Sequence, residues 1–363
     1  MQHISQITIS DPMLKERQLG AFDRLIMRFI NDERDLPFIH LFLGLSAIIL
    51  PVAVVLYAWF TWWLAVPYLI VLFAVLLGPY ILMLHNICHR KLFKKEYEWM
   101  NNIIPWFLGP FFGETPETYY AHHICMHHTE GNLKDDLSST MKYQRDSFWG
   151  FMHYFASFFF LGIYALSQYF IKKNRKEWMR NILVGEFSFF ILVAVMCLIS
   201  VKATVVMFVI PFCMTRFLMM AGNWGQHAFV DATDPGNSYK NSITCINSRY
   251  NQTCFNDGYH IGHHVRPAMH WTDMPKEFQD NLAKYREQGA IVFRTIDFFA
   301  VWLFLMTKQY GTLASFYVDL DETPKTKDEV IALLKSRTKR IDAATIEQFS
   351  GHDYLRDLRR RKL

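Results

Sequence analysis

The chain has 363 residues, 52% of them hydrophobic and 16% aromatic, and a formal net charge of +5. So slight an excess of positive charge makes nucleic acid an unnecessary partner and suits anionic lipid headgroups or a simple orientation bias. The apolar residues fall in long blocks instead of a periodic scatter, which decides for membrane spans over the two soluble domains that the length alone would permit.

Residues 1–38 read as a cytosolic N-terminal segment. Its charged residues, among them Lys15, Glu16, Arg17, Asp23, Arg24 and Arg34, surround no apolar core with a small-residue cleavage site, so it is not expected to be a cleaved signal peptide. An apolar run from Ile39 to Phe60 and another from Trp63 to Leu84, parted only by Thr61 and Trp62, predict a tight helical hairpin. Each run is near the roughly 20 residues that cross a bilayer core, and Pro51 and Pro67 are tolerated as kinks. The stretches Ile103 to Phe112 and Phe148 to Phe170 are apolar but broken by Gly, Pro, His or Ser, and predict interfacial or re-entrant helices. A second hairpin is expected from Ile182 to Ser200 and from Ala203 to Gly222, turning at Val201 and Lys202.

Arg90, Lys91, Lys94 and Lys95 follow the second span, and Lys172, Lys173, Arg175, Lys176 and Arg180 precede the third. The positive-inside rule puts both groups, and with four spans both termini, in the cytosol. Glu186 and Arg216 lie at nearly matching depths in the second hairpin, and either pair across it or snorkel separately. The run Ile291 to Met306, interrupted by Arg294 and Asp297, reads as another interfacial helix. The body of the protein is assigned to residues 39–310. Residues 311–363 read as a cytosolic C-terminal tail, polar from Thr323, with a helical patch at Val330 to Leu334 and the basic end Arg359, Arg360, Arg361 and Lys362. The six cysteines form no CxxC pair and are expected to be reduced. The sequon at Asn251 is expected to be unmodified because it lies on the cytosolic side.

Nine of the fifteen histidines form four clusters on that same side. HNICH, just after the second span, supplies His85 and His89 one helical turn apart; alone, such a pair serves equally well to cap a helix end. AHHICMHH supplies His123, His127 and His128, whose adjacent pair diverges on a helix and reaches two different metals; His122 competes with His123, and spacing favours His123. NWGQH supplies Asn223 and His227, and GYHIGHH supplies His260, His263 and His264. Nine imidazoles exceed what two tetrahedral zinc ions accept and fit two five- or six-coordinate ions. Imidazole suits iron, copper, zinc and nickel alike; oxygen chemistry beside lipid makes iron the economical choice. Glu130, Asp135, Asp136, Asp231, Asp257 and Asp273 are candidates to orient the rings through their outer nitrogens. His3, His40, His122, His153, His270 and His352 are assigned no ligand role, with His270 a candidate outer partner.

HNICH, HHICMHH and GYHIGHH resemble, in order and in the spacing HX3H, HX3HH and HX2HH, the three histidine boxes of the membrane fatty acid desaturase and hydroxylase superfamily. The resemblance covers roughly Leu82 to Pro275, and NDGYHIGHHVRPAMHW is similar to that family's third box and its flanks. It implies an all-α integral membrane fold, four transmembrane helices in two hairpins with a cytosolic helical cap that holds a histidine-ligated di-iron site. Asn223 then completes one iron through a water beside the nine histidines. Two iron ions, dioxygen as co-substrate and a lipid or acyl substrate follow from the resemblance, with desaturation the expected reaction and lipid or alkane hydroxylation the alternative. Alkane hydroxylases share such boxes but usually have six spans. The interior of the first box, Asn86, Ile87 and Cys88, departs from the acidic or aromatic residues often found there and leaves the substrate class more open than the metal chemistry. Electrons are expected from an external cytochrome b5, ferredoxin or rubredoxin type of donor, because no flavin fingerprint and no haem-binding HPGG segment accompany the boxes. The membrane is the endoplasmic reticulum if the host is eukaryotic and the inner membrane if it is bacterial. Tyr119, Tyr120, Trp149, Met220 and Trp224 are candidates to line a substrate tunnel, though core packing explains them as well. A zinc hydrolase would need a glutamate in an HExxH-like box, and a metal transporter would carry its ligands at mid-membrane depth.

Overall fold

A computed structural model describes residues 2–14 and 18–350; Lys15, Glu16, Arg17, His352 and the basic end Arg359 to Lys362 lie outside the described residues. Five helices are long and apolar enough to cross a membrane: α1 (Glu33–Ala58), α2 (Trp62–His89), α3 (Phe148–Lys172), α4 (Lys176–Ile199) and α5 (Val201–Gln226). Their outer faces are apolar, with Trp63 91%, Leu198 88% and Phe160 77% exposed, a surface suited to lipid and not to water.

Four of the five match the expected spans. The fifth, α3, covers the stretch expected to be an interfacial or re-entrant helix, and its Gly150, Ser157, Gly162 and Ser167 do not interrupt it. Isolated glycines cost only about 1 kcal/mol each in a helix, and no proline falls in the run, so 25 residues wind continuously. The second helix of each hairpin carries a π turn, Leu72–Leu76 and Val205–Val209. The turn between α4 and α5 falls on Ser200, one residue before the expected position, because its hydroxyl accepts from the Ala203 N–H at 3.3 Å and caps α5.

The chain divides into two compact units. Residues 14–124 and 163–217 form one, to which α1 and α2 belong. In it Glu186 and Arg216 pair at 3.1 Å, both nearly buried, which realises the pairing alternative over separate snorkelling. The Thr115 and Thr118 hydroxyls donate to the same Glu186 oxygen. Arg216 also donates from Nη1 to the Gly113 carbonyl at 3.0 Å and lies 3.7 Å over the Phe212 ring. The apolar stretch after residue 103 coils through short π and 3-10 turns (Ile104–Leu108, Gly109–Phe112) and then turns at Gly113, whose φ is +75°. A Cβ at Gly113 would sit 2.3 Å from the backbone of Pro211, and one at Gly185 would meet the Pro116 carbonyl oxygen at 1.7 Å. Glycine at these two places is what lets residues 113–118 reach the ion pair.

Residues 1–13, 125–162 and 218–363 form the other unit. It corrects the all-α expectation by holding two small parallel sheets. β1 (Gln2–His3) pairs with β4 (Val318–Asp319), and β2 (Ile243–Ile246) with β3 (Ile291–Arg294), Ile243 opposite Ile291. The run Ile291 to Met306 is therefore not one interfacial helix. Buried Ile291, Val292 and Phe293 form strand, Thr295 turns with φ +63°, and Asp297 caps the helix Phe298–Met306 by accepting from the Ala300 N–H at 2.8 Å. The charges that break the apolar run mark element boundaries. Residues expected to belong to a polar tail fold into the helix Lys327–Arg337, whose Val330 and Leu334 are fully buried against Tyr310 and Leu313.

Arg145, fully buried, ties this end to the rest of its unit. Its Nε donates to the Ala228 carbonyl at 3.0 Å, and its Nη2 to the carbonyls of Arg337 at 2.9 Å and Lys339 at 2.7 Å. Its own carbonyl accepts from the Trp224 indole at 2.9 Å. Asn251 is also fully buried, its amide donating to the Cys245 carbonyl and accepting from the Gly258 N–H, both at 2.9 Å. A sugar there is incompatible with the fold, so an unmodified sequon follows from packing and says nothing about membrane side. None of the six cysteines is joined to another.

Candidate metal centre

Histidines come together within each unit. Between residues 14 and 124, His85 and His89 occupy the last turn of α2 and His123 the helix Ala121–His127. One ring nitrogen from each lies within 4.8 Å of the others, and the Nε2 atoms of His89 and His123 are 3.1 Å apart. Tyr119 stacks on the His123 ring at 5.5 Å. His123, and not His122, completes the group, as its spacing favours.

The other unit brings together His127, His227 and His264, one nitrogen of each within 4.8 Å of the rest. The Nε2 of His260 is 3.3 Å from that of His227 and 3.0 Å from that of His264, and the Nε2 atoms of His128 and His263 are 2.9 Å apart. Two nitrogens bound at about 2.1 Å to one ion and at right angles to each other stand about 3.0 Å apart. The observed spacing therefore fits adjacent ligands of a divalent metal, and all-imidazole donors suit iron among others.

The winding of the second box differs from the expected α-helix. Ala121–His127 is a π-helix and only His128–Glu130 returns to α. The adjacent His127 and His128 rings stand at 70° to each other with centroids 5.6 Å apart, and while His127 meets His227 and His264, the Nε2 of His128 lies 2.9 Å from that of His263. The separation of the adjacent pair, expected from the α-helical period, is kept by a different winding.

Outer partners set the tautomers. Asp136, held by the Asn132 N–H, the Ser138 N–H and the Ser138 hydroxyl at 2.7–2.8 Å, accepts a hydrogen bond from His127 Nδ1–H at 2.7 Å, and the Asn241 carbonyl does the same for His227 at 2.7 Å. With Nδ1 protonated, Nε2 presents a lone pair. Burial, assisted by His127, pulls His227 down to about 3, and burial with its histidine neighbours holds His264 well below the usual imidazole range, so both rings are neutral near pH 7. The Asn223 amide donates to the Ser138 carbonyl at 3.1 Å and to the Tyr154 hydroxyl at 2.7 Å, which leaves Oδ1 as its acceptor end.

Among the other acidic candidates, Asp231 pairs with Arg337 at 2.8 Å, Asp257 accepts from Tyr250 at 2.7 Å, and Asp273 heads the helix Met274–Asp280. Glu130 is buried at the end of its short helix, and Asp135 is half-buried. His270 caps a 3-10 turn by accepting from the Thr272 N–H. Trp224 and Met220 are core residues, and Trp149 is 78% exposed. Ser138, Tyr154 and the Asn241 carbonyl carried no signal in the sequence, since their roles arise from tertiary placement. Asp136→Asn is expected to weaken divalent metal retention about 10–100-fold, read by metal analysis across a chelator titration, with the exposed Asp280→Asn unchanged.

A family model described as "Fatty acid desaturase" matches residues 57–295, more than half of the chain and a range that includes all ten candidate ligands. No curated protein and no solved structure matches the chain.

Proposed function

We propose, from the premise that this chain belongs to the membrane fatty acid desaturase/hydroxylase family, that it consumes dioxygen to desaturate a methylene pair of a fatty-acyl or other lipid chain. In this reading His85, His89, His123, His127, His128, His227, His260, His263 and His264 ligate two iron ions, with Asn223 contributing through a water. The observation that carries it is the 2.9–3.3 Å spacing of Nε2 atoms among His128, His227, His260, His263 and His264.

The irons, when bound, supply the oxygen activation needed to break an unactivated C–H bond. The chain's own residues do the positioning. Asp136 and the Asn241 carbonyl hold protons on the outer nitrogens of His127 and His227, so neither ring reorients. Burial of His227, His260 and His264 keeps bulk water from the donor atoms. Electrons come from an external cytochrome b5, ferredoxin or rubredoxin type of donor, docked on a basic cytosolic face. A hydroxylase of the same family is the second reading.

Lipid mass spectrometry of cells expressing the chain, with metal analysis of the purified protein, tests the proposal. A new double bond supports the first reading and a new hydroxyl the second, each with two irons per chain. Unchanged lipids, or retention of zinc in place of iron, overturn both.

A further inference from the structure

A pocket of about 610 Å³ opens within the second of the units described, away from any histidine of the metal group. Four cations line it, Lys308, Lys335, Lys339 and Arg340, with Gln144, Asp146 and Tyr310 completing the wall. Asp146 is already engaged: Lys308 pairs with it at 2.8 Å, the Tyr310 hydroxyl donates to it at 2.8 Å and the Gln144 amide at 2.7 Å. Lys335 stands 5.5 Å over the Tyr310 ring. Among the described residues no carboxylate pairs with Lys335, Lys339 or Arg340. Once Lys308 and Asp146 cancel, three positive charges remain around one concavity.

The cations sit on a fixed backbone. Lys335 lies in the helix Lys327–Arg337, and the chain just beyond it is held where Arg145 grips the carbonyls of Arg337 and Lys339 and its N–H bonds the Thr338 carbonyl at 2.8 Å. Thr338 also bonds the Tyr310 hydroxyl at 3.0 Å. A fixed backbone leaves only the side chains to order when an anion enters. A single carboxylate would answer one of the three charges, whereas a phosphate monoester or diphosphate carries two or more and offers several acceptor oxygens to Lys and Arg donors. Lys308 lies two residues past the helix Phe298–Met306, whose Phe299 and Leu303 are exposed, so both lipid headgroups and soluble phosphates have access.

We propose that this pocket binds a phosphate monoester or diphosphate group, carried either by a lipid headgroup or by a soluble molecule. The inference does not rest on the proposed reaction. An occupant would press on Gln144 and Asp146, either side of the Arg145 that holds Trp224 and Ala228, the neighbourhood of His227.

The test titrates inorganic pyrophosphate into full-length protein in detergent at low salt, followed by calorimetry. One saturable site is expected, weakened at least tenfold in Lys339→Gln/Arg340→Gln and unchanged in Lys276→Gln, a lysine elsewhere that pairs with Asp280. Both substituted side chains of the double variant are exposed, and an unchanged melting temperature confirms its fold; Lys335→Gln serves as an independent variant. Absence of saturable binding, or equal affinity in the double variant, overturns the proposal. Repeating the titration in discs of phosphatidic acid and of phosphatidylglycerol at equal surface charge identifies the source. Weaker pyrophosphate binding only in phosphatidic acid assigns the pocket to a lipid phosphomonoester, and equal binding in both assigns it to a soluble phosphate.

Discussion

Replacing His264 by alanine is expected to remove the lipid product entirely and to leave the membrane content of the protein unchanged. His264 is 2% exposed, its Nε2 is 3.0 Å from that of His260, and its ring lies 5.3 Å from His127 and 5.1 Å from His227. Removing it takes away a donor central to the group, so the loss should exceed the 10–100-fold expected when only an outer partner is changed. Mass spectrometry of total lipid and iron analysis read the outcome together. His153→Ala, at a ring that contacts Tyr143 near the surface and belongs to neither metal group, should leave both at the wild-type level. Product at ordinary levels from His264→Ala would remove this histidine from the site.

The second large effect is on stability. Arg216→Met is expected to destabilise the protein by about 3–5 kcal/mol, because it leaves Glu186 buried with no opposite charge. The two threonine hydroxyls that remain hydrogen-bond the carboxylate but do not neutralise it. Glu114 adds to the cost: burial pushes its carboxyl up to about 7 while Arg216 pulls it down, so removing the arginine drives it further up. The double variant Glu186→Gln/Arg216→Met should recover most of the loss, since a buried pair replaced as a unit is often close to neutral. Thermal unfolding in detergent of the two single variants and the double closes the cycle. Equal melting points for wild type and Arg216→Met would show that the pair contributes nothing.

The histidine boxes were legible in the sequence because the spacing of donors along a helix is itself local. His85 and His89 need only one turn between them, and HX2HH needs only the short helix His260–Val265. The π winding of Ala121–His127 was not legible, since α and π turns place histidines four or five apart almost equally well. Four spans were readable from apolar length. For α3 the helix itself was legible, and its scattered Gly and Ser are too weak as breakers to end it. In the run from Ile291 the opposite happened: Arg294 and Asp297 were read as polar interruptions of one element, where they end a strand and cap a helix. The C-terminal helix was underestimated because only Val330 and Leu334 of its eleven residues are buried, too sparse a pattern to reveal a core contact without its partners. Asp136 was one acidic candidate among six until the fold brought it to His127.

The grip of Arg145 on the carbonyl of Lys339, 194 positions later in the chain, gives residues 337–339 a mechanical role. A stop codon just after Arg337 would strip that acceptor and the Thr338 carbonyl together. The guanidinium would then face a place water does not reach with fewer oxygens to satisfy it, and the disturbance would travel to Trp224 and Ala228 beside His227. Nonsense alleles that spare all nine candidate histidine ligands would on this account behave as null alleles, while fusions appended beyond residue 350 would leave the grip intact.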